Sequence, residues 1–188
     1  DEMWIRGDYG DGTFNPFEIV GHLIHGERTD WMARIAMILE QGADCTFVRF
    51  DRYAQFALVA AKEALADADL NMAKERPHRV GVIVGAGMGG MVMGEREITQ
   101  LFKTQRPHRV HPNFIPTITL NSASGIVAMA HGAKGPNLTI STACSSSAHA
   151  LGQALHTIRT GQADVVIAVG ADASITPLVF AGFCSLRA

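Results

Sequence analysis

Three short apolar runs rich in β-branched residues constrain what this 188-residue chain can fold into. They lie at residues 79–84, from Asn137 to Thr142, and at 163–171, and segments with helical spacing of apolar residues separate them. This alternation predicts an α/β fold in which helices cover a mostly parallel or mixed sheet. The run at 163–171 is almost wholly apolar, which is typical of a central strand covered on both faces.

The helical segments have recognisable boundaries from residue 51 onward. Asp51 is placed to cap a helix that ends near Asp69, and a glycine turn at 85–90 leads into a second helix. A proline-containing loop then precedes a small-residue helix at 120–130. The last helix, at 145–159, has one apolar face formed by Ala148, Leu151, Leu155 and Ile158. Residues 1–45 show only a loop at 8–13 and a short helix after Asp30, so we divide the chain into a separate segment 1–45 and a main domain 46–188.

Composition excludes several classes of function. The net charge of −2 and the pI of about 6.5 argue against nucleic acid or an anionic membrane as a partner. The chain has neither a run of about 18 apolar residues nor a signal peptide, which predicts no membrane span.

The three cysteines, Cys45, Cys144 and Cys184, are odd in number, and their spacing does not match a disulfide framework. We therefore expect a reducing cytoplasm. Because the first residue is not Met, we expect a processed or truncated chain.

Cys144 lies where a predicted strand passes into a predicted helix. The first-turn N–H groups of a helix have no intrahelical partner and carry the positive end of the helix dipole. Such a field favours the thiolate, which is the nucleophilic form of cysteine. The alternative is a buried, inert cysteine, because free cysteines are among the most buried residues. His149 follows five residues later, and residues at i and i+5 do not share a helix face. A base for Cys144 would therefore come from elsewhere in the fold or from another chain.

Three other patterns are weaker signals. Gly85, Gly87 and Gly90 match the dinucleotide fingerprint G-x-G-x-x-G, but the acidic residue expected about 20 positions on is missing from 106–111. The structural interpretation is that these glycines let the backbone pass close to another element. Two histidine pairs have the spacing i, i+3: His22/His25 and His108/His111. They lack further ligands at suitable intervals, so we expect no metal site and instead assign these histidines surface or capping roles. Ser145, Ser146 and Ser147 lack the G-x-S-x-G elbow and are interpreted as helix-start residues.

Residues 142–150, which include Cys144, resemble the active-site segment of β-ketoacyl-acyl-carrier-protein synthases in the thiolase-like superfamily. The resemblance extends over about residues 50–188. It includes the early helix at 51–57, the glycine turn 85–90, residues 110–116 with Asn121, and the segments 161–165, 170–171 and 182–183. It implies the N-terminal half of a thiolase-like layered α/β fold: a mixed sheet with helices on both faces and a buried helix after the nucleophile.

The resemblance also implies a chemistry. Cys144 would accept an acyl group from acyl carrier protein or coenzyme A, and the resulting thioester would undergo decarboxylative Claisen condensation with a malonyl thioester. The acyl pocket would be lined by Met88, Phe114, Ile115 and Phe183, with Phe114 reaching across a dimer interface. The strand from Asn137 to Thr142 would pair with its counterpart in a homodimer or heterodimer. No metal or other cofactor is implied.

In this family two histidines, a lysine and a second oxyanion donor come from the C-terminal half. These elements do not occur before Ala188, so we expect a polypeptide of these 188 residues not to complete condensation by itself and to expose an apolar face. Two alternatives stay open. One is a thiolase-like acyltransferase, and the other is a non-catalytic partner subunit of a ketosynthase heterodimer.

Overall fold

A computed structural model of the chain describes residues 50–187. The predictions for the loop at 8–13, the helix after Asp30, the pair His22/His25 and Cys45 lie outside these residues. The described part contains three strands: β1 (Val80–Gly85), β2 (Asn137–Ile140) and β3 (Val165–Gly170). Its α-helices are α1 (Arg52–Asp67), α2 (Met91–Thr104), α3 (Phe114–Ile118), α4 (Ser122–His131), α5 (Ser146–Arg159) and α6 (Pro177–Ser185).

The three strands form one parallel sheet in the order β2-β1-β3. The central strand is β1, and each of its residues is buried. This corrects the expectation for 163–171: within residues 50–187, β3 is an edge strand, and only two of its residues are fully buried. An apolar run reports the burial of side chains, whereas the neighbours of a strand are set by long-range pairing.

Asp51 joins the starts of two helices. Its Oδ1 accepts a hydrogen bond from the N–H of Tyr53 in α1 (3.3 Å), as the capping prediction required, and its Oδ2 accepts from the N–H of Met93 in α2 (2.7 Å). Burial raises the pKa of this carboxyl, and the hydrogen bonds from backbone N–H groups oppose that rise. The carboxylate therefore fixes α2, and with it the glycine turn that precedes α2.

The loop with the prolines is more ordered than the sequence indicated. It contains α3, a short helix that begins with hydrogen bonds from Phe114 N–H to the His111 carbonyl (2.9 Å) and from Thr117 N–H to the Asn113 carbonyl (3.1 Å). Pro116 is compatible with this helix because N–H groups of a first turn have no intrahelical partner. The buried hydroxyl of Tyr53 donates to the Thr119 carbonyl (2.5 Å) and holds the end of α3.

The side of α5 that packs on the sheet consists of small residues. Ser146, Ala150, Ala154 and Thr157 are buried, and two of them cluster with Ile83 of β1. The apolar face predicted from the sequence exists, but its large side chains are exposed among the described residues: Leu151, Leu155 and Ile158. The small residues bring the axis of α5 close to the sheet, which places the start of this helix at the ends of the strands. No helix within residues 50–187 is long and apolar enough to cross a membrane.

Candidate active site

The carboxyl ends of all three strands meet at one edge of the sheet. Gly85, the last residue of β1, pairs in register with Ile140 on one side and with Gly170 on the other. In open parallel sheets, ligands bind outside the carboxyl ends of the strands. Three loops leave this edge, and we name them the glycine turn (85–90), the cysteine turn (141–145) and the aspartate turn (171–175).

Cys144 is exposed in the cysteine turn, within the single 3₁₀ turn Ala143–Ser145 between β2 and α5. β2 ends at Ile140, two residues earlier than predicted. The polar groups that would extend the strand have local partners instead: the Ser141 hydroxyl donates to the Gly87 carbonyl (3.2 Å), and the Thr142 N–H donates to Ser146 Oγ (2.8 Å). The thiol therefore lies directly before the first turn of α5, as the sequence predicted.

Two glycines let α5 begin against the sheet. A Cβ atom on Gly85 would lie 2.5 Å from the Ser146 carbonyl carbon and 2.7 Å from the Ser147 nitrogen. A Cβ atom on Gly170 would lie 2.5 Å from the Cβ of Ser147. Since real Cβ atoms essentially never approach so closely, only glycine fits at either strand end. These contacts determine how near Cys144 comes to the edge of the sheet.

The glycine turn is organised by Asp172 in the aspartate turn. Asp172 Oδ2 accepts hydrogen bonds from the N–H groups of Gly87 (2.6 Å) and Met88 (3.0 Å), while Oδ1 accepts from the Ser174 hydroxyl (2.6 Å). A phosphate bound by a G-x-G-x-x-G loop would need such N–H groups. Here a carboxylate of the same chain occupies them, which favours the structural interpretation of the glycines over dinucleotide binding.

The predicted pocket residues lie on three different elements. Met88 lies in the glycine turn beside the cysteine turn, since Gly87 accepts the hydrogen bond from Ser141. Phe114 and Ile115 open α3, whose far end contacts the glycine turn: a Cβ atom on Gly90 would lie 2.5 Å from the Ile118 Cα. Phe183 lies on α6, whose Leu178 N–H donates to Glu95 of α2 (2.5 Å).

Met88, Ile115 and Phe183 are each about half exposed or more among the described residues (46%, 63% and 56%), and Phe114 is half-buried. The structure brings Met88 close to the cysteine turn. It gives no direct contact between Cys144 and Phe114, Ile115 or Phe183, so their role in an acyl pocket stays a prediction.

Two of the histidines have local partners. His149 Nδ1 is hydrogen-bonded to Thr142 Oγ1 (2.8 Å), in keeping with the expectation that it does not pair with Cys144. His111 Nδ1 accepts a local hydrogen bond from the Asn113 N–H, directly before α3 (3.2 Å). Across residues 50–187, no group of three or more potential ligands could hold a metal ion.

Asp172, which orders the glycine turn, was not predicted from the sequence as a residue of this edge. The buried Ser146 hydroxyl bridges the backbone of the cysteine turn, in agreement with its interpretation as a helix-start residue. The sequence did contain a signal for Asp172, because an acidic residue directly after a buried apolar strand is unusual unless it has a polar partner. For Ser146 no signal separates it from its two serine neighbours.

The fold just described is that of known ketosynthases. The structure aligns with a TM-score of 0.64 and 28% identity to a ketosynthase in complex with its chain length factor from Xenorhabdus doucetiae, over 73% of this chain and 34% of that one. It also aligns with a TM-score of 0.66 to a type II polyketide ketosynthase in complex with its acyl carrier protein, at 21% identity, which bears on the fold alone. The fold is the N-terminal part of the thiolase-like ketosynthase fold, as predicted.

Sequence comparison agrees with the fold. The model of the β-ketoacyl synthase N-terminal domain matches residues 21–188. A 3-oxoacyl-[acyl-carrier-protein] synthase 2 from Staphylococcus aureus is 41% identical over 140 residues, which are 74% of this chain and 34% of that protein. The chain thus belongs to the β-ketoacyl synthase family, and it spans about a third of the length of the curated relatives that it matches.

Proposed function

We propose that this chain supplies the nucleophile of a β-ketoacyl synthase of fatty-acid or polyketide synthesis, with Cys144 as the residue that carries the acyl group. The observation that carries the proposal is the exposed thiol of Cys144 in the turn before α5, at the edge where three parallel strands end. Family membership supports the same assignment.

The first step is transfer of an acyl group to sulfur. The Cys144 thiolate attacks the thioester carbonyl, the tetrahedral intermediate collapses, and the carrier leaves as its thiolate. A Cys144 N–H directed at the developing oxyanion would stabilise this intermediate, which suits a residue at a helix start. Cysteine suits both acyl transfer and the later condensation, because the thiolate is nucleophilic and its thioester product is a better electrophile than a serine ester.

The second step is condensation. A malonyl thioester loses carbon dioxide, and the resulting carbanion attacks the acyl carbonyl on Cys144. The C–C bond forms as the C–S bond breaks, and the Cys144 thiolate is released. Within residues 50–187, the ring of His149 is engaged with Thr142. The histidines and the lysine that this step requires in the family would come from outside the described residues.

The acyl chain would lie near Met88, Phe114, Ile115 and Phe183. Met88 is the best supported of these, because Asp172 fixes its N–H beside the cysteine turn. The other three present apolar surface on α3 and α6, whose ends are tied to the glycine turn and to α2. Half-exposed apolar side chains favour an apolar substrate or a partner surface that covers them.

The proposed partners are acyl carrier protein or coenzyme A thioesters and a second synthase subunit. Within residues 50–187, β2 lies at the edge of the sheet with Asn137 and Leu138 exposed, which suits pairing with the counterpart strand of a homodimer or heterodimer. We also propose a cytoplasmic location, because the cysteines are odd in number and their spacing does not match a disulfide framework.

A non-catalytic partner subunit is the second candidate, because two of the similar structures are ketosynthases together with chain length factors. The two candidates differ in what they require of the thiol. A nucleophile must be accessible and reactive toward thioesters, whereas a subunit that only shapes an interface has no need of a reactive thiol.

The deciding experiment is selective labelling of the 188-residue polypeptide. Iodoacetamide at neutral pH, read by peptide mass, should modify Cys144 faster than Cys45 and Cys184. Incubation with acyl-carrier or coenzyme A thioesters should then add the acyl mass to the Cys144 peptide, and Cys144→Ala should abolish it while Cys184→Ala should not. Equal labelling of the three cysteines, with no acyl transfer, would favour the non-catalytic subunit. Acyl transfer from coenzyme A without use of any malonyl thioester would favour a thiolase-like enzyme.

A further inference from the structure

We propose that Ser146 is a positioning residue for Cys144: its buried hydroxyl holds Ala143 in the left-handed conformation from which the cysteine turn presents the thiol. The inference rests on the proposed function, because it assigns a task to Ser146 only if Cys144 is the nucleophile. It concerns the residue two positions after the cysteine, whose side chain does not need to touch the substrate.

Ala143 has a backbone conformation that alanine rarely adopts. Its φ angle is +51°, in the left-handed region that crowds Cβ against the backbone. Such a conformation persists only where the surrounding structure determines it, and it is concentrated at functional sites. The residue that follows Ala143 is Cys144, so the direction in which the thiol leaves the backbone depends on this angle.

The Ser146 hydroxyl contacts the backbone on both sides of Ala143. Its oxygen accepts a hydrogen bond from the Thr142 N–H (2.8 Å), and its O–H donates to the Ala143 carbonyl (2.7 Å). The two backbone groups flank the torsion angles of Ala143, so one hydroxyl restrains them together. Ser146 is 3% exposed, and water cannot readily replace these bonds.

The position of the hydroxyl is itself fixed by the sheet. The backbone of Ser146 lies against Gly85, where a Cβ atom would come within 2.5 Å of the Ser146 carbonyl carbon. Ser146 therefore cannot follow the turn if the turn relaxes. A rigid hydroxyl can impose a backbone conformation, whereas a mobile one would only adapt to it.

Ser145 offers a matched control. Its hydroxyl bonds to the carbonyl (2.7 Å) and to the Oγ1 (3.3 Å) of Thr142, and it makes neither of the bonds that flank Ala143. Ser145 is exposed, so water can take over its bonds. Removing the same oxygen from Ser145 and from Ser146 thus separates general loss of a hydroxyl from loss of the restraint.

The test measures the alkylation rate of Cys144 against that of Cys184 within the same polypeptide. For Ser146→Ala we expect a drop of about 5- to 30-fold in the Cys144 rate, the population change that corresponds to the cost of one left-handed alanine. For Ser145→Ala we expect less than about a twofold change. The Cys184 rate should stay constant in both variants. If the Cys184 rate instead rises in the Ser146→Ala variant, the substitution has loosened the whole domain, and the proposal is overturned.

A second substitution tests the cause. Glycine adopts a positive φ without steric cost, so Ala143→Gly in the Ser146→Ala background should restore most of the Cys144 rate. By itself, Ala143→Gly should change the rate by less than about twofold. If Ser146→Ala does not fold, Ser146→Thr and Ser146→Val form a pair of nearly equal size. The threonine variant, which keeps the hydroxyl, should then react faster than the valine variant.

The outcomes separate this inference from the proposed function. Wild-type polypeptide that takes no acyl group at Cys144 would overturn the proposed function. Wild-type polypeptide that is acylated, together with a Ser146→Ala variant that matches Ser145→Ala, would overturn the role of Ser146 alone. Loss in Ser146→Ala without recovery in the double variant would also overturn it, since the restraint on Ala143 is then not the cause.

Discussion

Gly170, the last residue of β3, lies directly against Ser147 in the first turn of α5, so close that a Cβ atom on Gly170 would come within 2.5 Å of the Ser147 Cβ. Gly85 of β1 makes the equivalent approach to the backbone of Ser146. The helix that follows Cys144 therefore starts in contact with two neighbouring strand ends. Its position, and that of the cysteine turn, depends on the absence of two side chains.

Gly170→Ala should lower the free energy of unfolding by about 1–3 kcal/mol or more, because the added methyl group forces α5 away from the sheet. Urea unfolding followed by circular dichroism measures this. Gly152→Ala is the matched control: Gly152 lies in α5, and apart from the adjoining residues and backbone of that helix no atom lies within 4 Å of an added Cβ. It should stabilise the protein by about 0.5–1 kcal/mol, since alanine is the better helix former. Equal effects of the two substitutions would contradict the close approach.

Asp172→Ala should destabilise the protein by about 0.5–1.5 kcal/mol, because it removes the carboxylate that accepts from the N–H groups of Gly87 and Met88, while water can replace part of this interaction at an exposed site. It should also slow acylation of Cys144 if Met88 borders the acyl chain. Thermal unfolding and the labelling assay measure the two effects. Asp67→Ala, an exposed aspartate at the end of α1, serves as the control and should change the free energy of unfolding by at most about 0.5 kcal/mol.

His149→Ala should leave acyl transfer to Cys144 nearly unchanged, because the His149 ring bonds to Thr142. Removal of a general base typically lowers a rate by roughly a hundredfold or more. A loss of that size in the acylation rate, with the fold intact by circular dichroism, would show that His149 does serve Cys144.

His131, the last residue of α4, should make stability fall on mild acidification. Burial, with a smaller effect of the nearby Lys62, lowers the pKa of His131 below its usual value of 6.5. The unfolded chain thus takes up a proton before the folded one does. Stability contributed by the neutral ring is present above about pH 6.5 and is lost as the pH falls toward the lowered pKa. Urea unfolding at several pH values should show a shallower decline in this window for His131→Gln, and an unaltered slope would refute the assignment.

Much of the fold followed from local patterns. The cap at Asp51, the three strands and the helix after Cys144 could be read from residue type and spacing, because each depends on neighbours a few positions away. The placement of Cys144 before a helix start belongs to this class. The motif around it also identified the family, since several short segments occur in the family's order.

Contacts between distant residues were decided by the tertiary structure alone. The edge position of β3 depends on its pairing with a strand 80 or more residues earlier in the chain. The hydrogen bonds of Asp172 to the glycine turn span 84 and 85 positions. Sequence periodicity reports which side of an element is apolar, but not which element covers it, as the exposed Leu151 on α5 shows. The sequence determined where a nucleophile could lie, whereas the close packing of glycines, Ser146 and Asp172 decided how it is held, because such packing arises only once separate strands share one sheet.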